Sequence, residues 1–453
     1  MWSLLSVASL LLFAATVSAV STAGNRLLVV LDDVAEKDTY GRFLGDLAAR
    51  GFEVSYETPR TEGLSLFHLG ERKYDHLLFL PSKVKGLGPN LSPSHLVDFV
   101  NAKGNMLVAL SSVVPASTSL VSLLSELDIS LPAERTGTVV DHFNYDAVSA
   151  AETHDVLVLD APSNVRPGLK SFFEIPGGVL AFPHAVGHVL GAGPLLTPVV
   201  RAPATAYSYY PKEQAEVLDA DELFAAGQQL ALVSVLQARN SARVAVLGSA
   251  EMLQDKWLDA KVTKVGGPSL KTDNKEFVSR VAGWTFQEIG VLRVNSIEHK
   301  LRGSDEVNPD IYRIKNNVSY AISLSEYSWD KWVPFTPPQG DVLQLEFSML
   351  SPFHRLSLTP AGTTDDAALY GASFTLPDQH GIFNFKVNYK RSFLTNIEEK
   401  NTVSVRHFAH DEWPRSFVIS GAWPWISGIG ATVSGFVGFC AIWMYSKPVG
   451  KKN

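Results

Sequence analysis

The chain has 453 residues, of which 46% are hydrophobic and 19% charged, with a formal net charge of −7. That composition describes a folded protein and excludes a disordered one. The acidic balance speaks against nucleic acid, and against an anionic membrane surface, as a partner.

Residues 1–19 read as a secretory signal. Leu4 to Ala15 is almost wholly apolar, and Val17-Ser18-Ala19 puts small residues at the −3 and −1 positions of a cleavage site. The mature chain is expected to start near Val20.

Residues 20–137 alternate short apolar runs with helical patterns. Arg26 to Leu31 reads as a strand buried on both faces. Asp38 is placed to cap a helix carrying Tyr40, Phe43, Leu44, Leu47 and Ala48, which Gly51 stops. Phe52 to Tyr56, His76 to Leu80 and Met106 to Leu110 read as further strands. Ser92-Pro93 opens a second helix, with Pro at its first position, and Leu120 to Leu127 forms a third. This rhythm predicts an open, mostly parallel α/β sheet with helices on both faces.

Residues 138–290 are less regular and read as a second α/β region that continues the same body. Val156 to Leu159 and Gly178 to Phe182 are expected strands. Ala231 to Leu236 and Arg243 to Leu247 are a pair joined at Arg239-Asn240-Ser241. A helix bearing Phe277, Val278, Val281 and Trp284 closes the region at Gly290.

Residues 291–410 change to period two. Leu343, Leu345, Phe347 and Met349 alternate with polar residues, as do Phe383, Phe385, Val387 and Tyr389, and Tyr320, Ile322 and Leu324. Such strands, separated by Pro and Gly, predict an antiparallel β-sandwich. His407 to Phe417 would link it to the membrane.

No charged residue occurs between Arg415 and Lys447. One transmembrane helix is therefore expected within 418–446, its core from about Pro424 to Tyr445, near the ~20 residues a bilayer needs. Trp423, Trp425, Trp443 and Tyr445 flank it. Lys447, Lys451 and Lys452 put the tail 447–453 in the cytosol and the bulk of the chain in the lumen, a type I arrangement. Gly430, Ser434 and Gly438 recur every fourth residue, as do Ser427, Ala431 and Gly435, which predicts a groove for a second helix. The single cysteine, Cys440, lies inside this segment. The lumenal part therefore has no disulfide, no thiol nucleophile and no thiolate metal site, and must rely on its core.

No G-x-G-x-x-G turn, phosphate loop or G-x-S-x-G elbow is present, and Gly248-Ser249-Ala250 lacks the flanks of the last. Asp32 and Asp33 stand at the carboxyl end of the first strand, where paired carboxylates can hold a cation, or simply precede a helix. Asp219-Ala220-Asp221 has the D-x-D spacing of metal–nucleotide sites, but also suits a helix N-terminus. His184 and His188 have zinc-like spacing, against which Pro183, Gly187, Gly191 and Gly193 argue. Asp141 to Asp146 reads as a polar loop network joining two sheets. None of these assigns a catalytic residue, metal ligand or cofactor. Asn317-Val318-Ser319 and Asn90-Leu91-Ser92 match the N-glycosylation acceptor pattern, and Pro93 makes the second a poor acceptor.

Seven segments, in order along the mature chain, resemble one family: the 48-kDa subunit of oligosaccharyltransferase and its fungal counterpart. They are DHFNYD (141–146), TAYSYYP (205–211), LQARNSARV (236–244), GVLRV (290–294), KWVPF (331–335), DVLQLEF (341–347) and GIFNFKVNY (381–389). The resemblance implies a non-catalytic, single-span accessory subunit of the endoplasmic-reticulum oligosaccharyltransferase complex. That complex moves a preassembled glycan from dolichyl pyrophosphate to Asn in N-x-S/T, and in the family another, many-span subunit carries out the transfer. The implied partners are that catalytic subunit, the other subunits and the membrane. The tail ends Lys451-Lys452-Asn453, out of step with the dilysine retrieval signal of some members. The other readings are a lumenal glycan-processing enzyme using Asp32, Asp33, Asp219 and Asp221, and a cell-surface receptor with an adhesive sandwich.

Overall fold

The computed structural model describes residues 21–61, 63–210, 223–413, 420–447 and 450. The expected signal segment, Asp219, Asp221, Lys451 and Lys452 lie outside them.

The first architectural unit is a nine-stranded sheet. Its order runs Glu53–Glu57, Arg26–Val30, His76–Phe79, Asn105–Ala109, Arg243–Leu247, Leu230–Gln237, His188–Leu190 and Ile129–Ser130, with Leu196–Arg201 also paired to Leu230–Gln237. The first five strands are parallel. From Leu230–Gln237 onward the pairs are antiparallel. The expected parallel sheet thus holds for one half only. The turn at Arg239-Asn240-Ser241, where Ser241 has φ 70, folds the chain straight back and forces the antiparallel pairing. Strands before and after residue 137 share this sheet.

Successive residues of the first strand feed opposite cores, Leu27, Val29 and Leu31 on one face and Leu28 and Val30 on the other. Helices Gly41–Ala49 and Asn274–Thr285 cover the first face, through Phe43, Leu44, Leu47, Phe277, Val278 and Val281. Helices Pro93–Asn101 and Thr118–Glu126 cover the second through Leu96, Phe99, Leu123 and Leu124. Ser92 and Ser117 cap these two by accepting from the N–H groups of His95 and Leu120.

Asp38 does not cap the first helix. A 3-10 segment, Val34–Tyr40, precedes that helix, and Asp33 caps the segment by accepting from Ala35 N. Asp33 still has extended backbone as it leaves the strand, the geometry a cap requires, whereas Asp38 is already inside the turn. Ala48 faces solvent. Strands Val156–Asp160 and Val179–Pro183 pair with each other in a separate ribbon.

The second unit is a sandwich of two five-stranded sheets. The period-two residues Leu345, Phe347, Phe383, Phe385, Val387, Tyr389, Tyr320, Ile322 and Leu324 all point into its core. One pair departs from the antiparallel rule: Ile311–Arg313 runs parallel to Ile397–Arg406 at the sheet edge. The sandwich opens with the long strand Ile289–Leu301, so Gly290 lies inside a strand. Its φ of +69 and an ideal Cβ only 2.7 Å from the Phe172 ring leave room for glycine alone.

Trp423–Tyr445 forms a 23-residue apolar helix, exposed over its length. The Ser427 and Thr432 hydroxyls donate to the carbonyls of Pro424 and Gly428, so neither adds an unpaired donor to an apolar surface.

Candidate functional site

In an open α/β sheet, ligands usually enter at the carboxyl ends of the strands where the strand order reverses. Here that place lies between Arg26–Val30 and His76–Phe79. The Ser82 hydroxyl donates to Asp32 Oδ1 at 3.1 Å across it. Asp33 is spent on its cap. In the next crevice, Leu80 to Ser82 and Ala109 to Ser111 meet the segment from Val114 to Leu120, leaving a cavity of about 10 Å³. That is roughly the room of one water and too little for a substrate or nucleotide.

Further along this edge the structure assembles charged groups of which the sequence singled out only His184. Glu251 accepts from the Ser111 hydroxyl at 2.5 Å, and its second oxygen is buried without a partner. Burial pushes this carboxyl up, against the pull of Ser111. His184 bonds Asp155 at 3.1 Å, and that contact raises the imidazole above its ordinary value. His188, by contrast, sits in strand His188–Leu190 while His184 lies in a turn; His188 is fully buried against Ser234 at 2.7 Å, where burial lowers its pKa to about 4. The two histidines therefore do not share a face. Among the described residues, no group of three or more His, Cys, Asp or Glu side chains is arranged around a common point.

The Asp141–Asp146 loop is a network, as expected. Buried Asp141 accepts from Phe143 N, Asn144 Nδ2 and the Thr205 hydroxyl at 2.8–2.9 Å. Asp146 accepts from Ser149 and from Thr263 N. Burial opposes ionisation of Asp146, but these bonds outweigh it and hold the carboxyl below its ordinary range. The aspartates thereby stitch 141–146 to the segments around 205 and 263.

The densest polar chemistry lies at the junction of the two units. Arg243 is fully buried, and among the described residues no carboxylate lies within ion-pair distance of it. Its guanidinium donates to the carbonyls of Trp284, Ile289 and Gly290 at 2.6–2.7 Å and stacks on the Trp284 ring at 4.8 Å. Burial drags it down to about 9, still charged at neutral pH. Trp284 Nε1 donates to Phe393 O at 2.9 Å, and Phe173, Trp284 and Phe393 pack edge to face. A second tie runs from Arg50 to Glu288 at 2.6 Å, and Arg50 also lies over the Trp329 ring. Burial drives Glu288 up to about 7 despite that cation. Cavities of about 660 and 400 Å³ flank the junction, the first lined by Asp46, Lys271 and Arg280 among others, the second by Leu195, Gln237 and Arg391 among others.

Of the other predicted sites, Asn317 is exposed at the head of its strand, its amide oxygen accepting from the Thr375 hydroxyl at 2.7 Å. Asn90 is exposed in the 3-10 turn Pro89–Leu91. Ser427, Gly430, Ala431, Ser434, Gly435 and Gly438 all lie on the apolar helix, and among the described residues nothing occupies the space a side chain would fill at Gly430, Gly435 or Gly438.

These features define a class: a two-unit body whose polar chemistry ties its halves together, carrying one membrane-length apolar helix. Comparison with known proteins gives the family. The profile of the OST48 N-terminal domain matches residues 18–288 and that of the OST48 middle domain matches 299–447. A Schizosaccharomyces pombe protein named dolichyl-diphosphooligosaccharide–protein glycosyltransferase subunit wbp1 is 36% identical over 420 residues, covering 92% of this chain and 91% of that one. The Danio rerio protein named the 48 kDa subunit is 32% identical, covering 94% and 93%. Its Arabidopsis thaliana namesake is 30% identical, covering 98% of each. The chain belongs to the OST48 family.

Proposed function

We propose that this chain is a non-catalytic accessory subunit of the endoplasmic-reticulum oligosaccharyltransferase complex. It supports transfer of a preassembled glycan from dolichyl pyrophosphate to Asn in N-x-S/T by a separate, many-span subunit. The observation that carries the reading is full-length kinship with proteins named as glycosyltransferase subunits, at 30–36% identity. The filled crevice at the carboxyl edge of the sheet supports a structural role, since its side chains are engaged with one another.

In this reading residues 20–410 lie in the lumen, 418–446 cross the membrane once and 447–453 face the cytosol. The small residues Gly430, Ser434 and Gly438, with Ser427, Ala431 and Gly435, receive a neighbouring subunit's helix. Asn317 is the better placed glycan acceptor, because Pro93 follows the Asn90 sequon.

Affinity purification of the full chain in mild detergent tests this. Co-elution of a many-span glycosyltransferase, with N-glycosylation lowered on depletion of the chain, is expected. Recovery as a lone monomer would overturn it.

A further inference from the structure

One end of the sandwich carries apolar side chains that the described residues leave uncovered. Ser404, Ile382 and Ile311 form a single row across three neighbouring strands. Their sequence neighbours Val403, Val405, Phe383 and Tyr312 are buried, so the row points outward. Ile382 is 63% exposed and Ile311 61%. Strand Gln344–Ser348 runs antiparallel to Gly381–Tyr389, so its following turn lies at the same end as Gly381. Leu350, in that turn, is 99% exposed. Two strand spacings, about 10 Å, separate it from the last strand, Ile397–Arg406.

The chain leaves the sandwich at this same end. After Arg406 it makes a compact knot in which Trp413 packs on His407 and Phe408, with ring centroids 5.2 Å apart. Trp413 nevertheless remains 51% exposed. Arg406 is neutralised by Glu412 at 2.6 and 2.7 Å, so this knot does not present the Arg406 charge bare. Six residues, 414–419, then separate Trp413 from the 3-10 turn Ser420–Ala422 that leads into the apolar helix. Seven peptide steps reach at most about 25 Å. The opposite ends of the same strands lie a further ~27 Å away, over nine residues. Of the two ends of the sandwich, the one bearing Leu350, Ile382 and Trp413 is therefore tied closest to the helix.

We propose that this end of the sandwich is a second membrane contact, with Leu350, Ile382 and Trp413 seated in the headgroup layer. Tryptophan and exposed aliphatic tips suit that layer, where one side of a ring meets hydrocarbon and the other water. The contact would fix the height and tilt of the lumenal body. The proposal rests on the reading of Trp423–Tyr445 as a membrane span.

The sole cysteine makes the test clean. An environment-sensitive fluorophore is attached at Leu350→Cys or Ile382→Cys, and at Val148→Cys as a distant exposed control, each in a Cys440→Ser background. The native Cys440 is labelled separately. Each full-length protein is reconstituted in phosphatidylcholine vesicles bearing nitroxide lipids. Loss of fluorescence at 350 and 382, but not at 148, is expected. Quenching at 440 with none at 350 and 382 would overturn the contact while leaving the span intact. No quenching at 440 would overturn the span and the contact with it. If 350 becomes shielded only when partner subunits are added, the face belongs to a protein and the proposal fails.

Discussion

Arg243 is the residue on which the junction turns. Its guanidinium is held by backbone carbonyls from a helix end and a strand start. Removing it would leave those carbonyls buried and unpaired, each costing about 1–3 kcal/mol. Arg243→Met is expected to destabilise the chain by about 3–5 kcal/mol, read as a lower denaturant midpoint of the full-length protein in detergent. Lysine should rescue little, since it cannot reproduce the planar fork. Glu288 gives a pH signature of opposite kind to an ordinary surface acid. Its folded pKa of about 7 exceeds the usual 4.5, so the folded state holds the proton more tightly. Its contribution is intact below about pH 4.5 and is lost as pH rises through 7. Wild type should thus lose more stability between pH 5 and 8 than Glu288→Gln, and equal losses would refute the assignment. Neither residue was legible in the sequence. Arg243 follows a turn and looks like a solvated strand-end cation, and Glu288 looks like one acid among many. Only packing, which brings residues 50, 243, 288 and 393 together, reveals them.

Elements were legible where periodicity is strong and long. The apolar run at Arg26–Val30, the Ser-Pro helix start and the alternating strands of the sandwich each announce their burial by spacing alone. Two kinds of element escaped. Three-residue strands such as Ile311–Arg313 carry no period, so their parallel pairing is set by the partner edge. The pairing of Val156–Asp160 with Val179–Pro183, off the main sheet, depends on long-range contacts that no window sees. The C-terminal helix is different, since composition alone fixes it. Its small residues make a sharper claim than its length. Replacing Gly430, Ser434 and Gly438 together with leucine should leave membrane integration unchanged, because apolarity rises. It should abolish co-purification of partner subunits, because the close approach of backbones is filled. Assembly that survives the triple substitution would mean that the α/β body and the sandwich alone hold the complex.

At the scale of the molecule, the question is whether the α/β body and the sandwich behave as one unit. They are joined by more than a linker. The helix Asn274–Thr285 gives way after three residues to the strand Ile289–Leu301, and the Phe173–Trp284–Phe393 cluster packs across the seam. The Gln237 amide donates to Leu394 O at 2.5 Å, and Ser241 accepts from Asn396 N at 3.0 Å. On the far side of the helix, Arg50, Glu288 and Trp329 make an independent tie. Coupling of this density predicts a single cooperative transition. Full-length protein in detergent, unfolded in urea, should show the same midpoint by circular dichroism and by protease protection of each half. Trp284→Ala should cost about 3–5 kcal/mol and also separate the two protection curves, since it empties the centre of the seam as well as the helix face beneath it. A surface substitution of equal cost would lower both curves together. Separate midpoints already present in the wild type would mean that the seam is a contact without coupling, and that any rigidity of the assembled subunit comes from its neighbours.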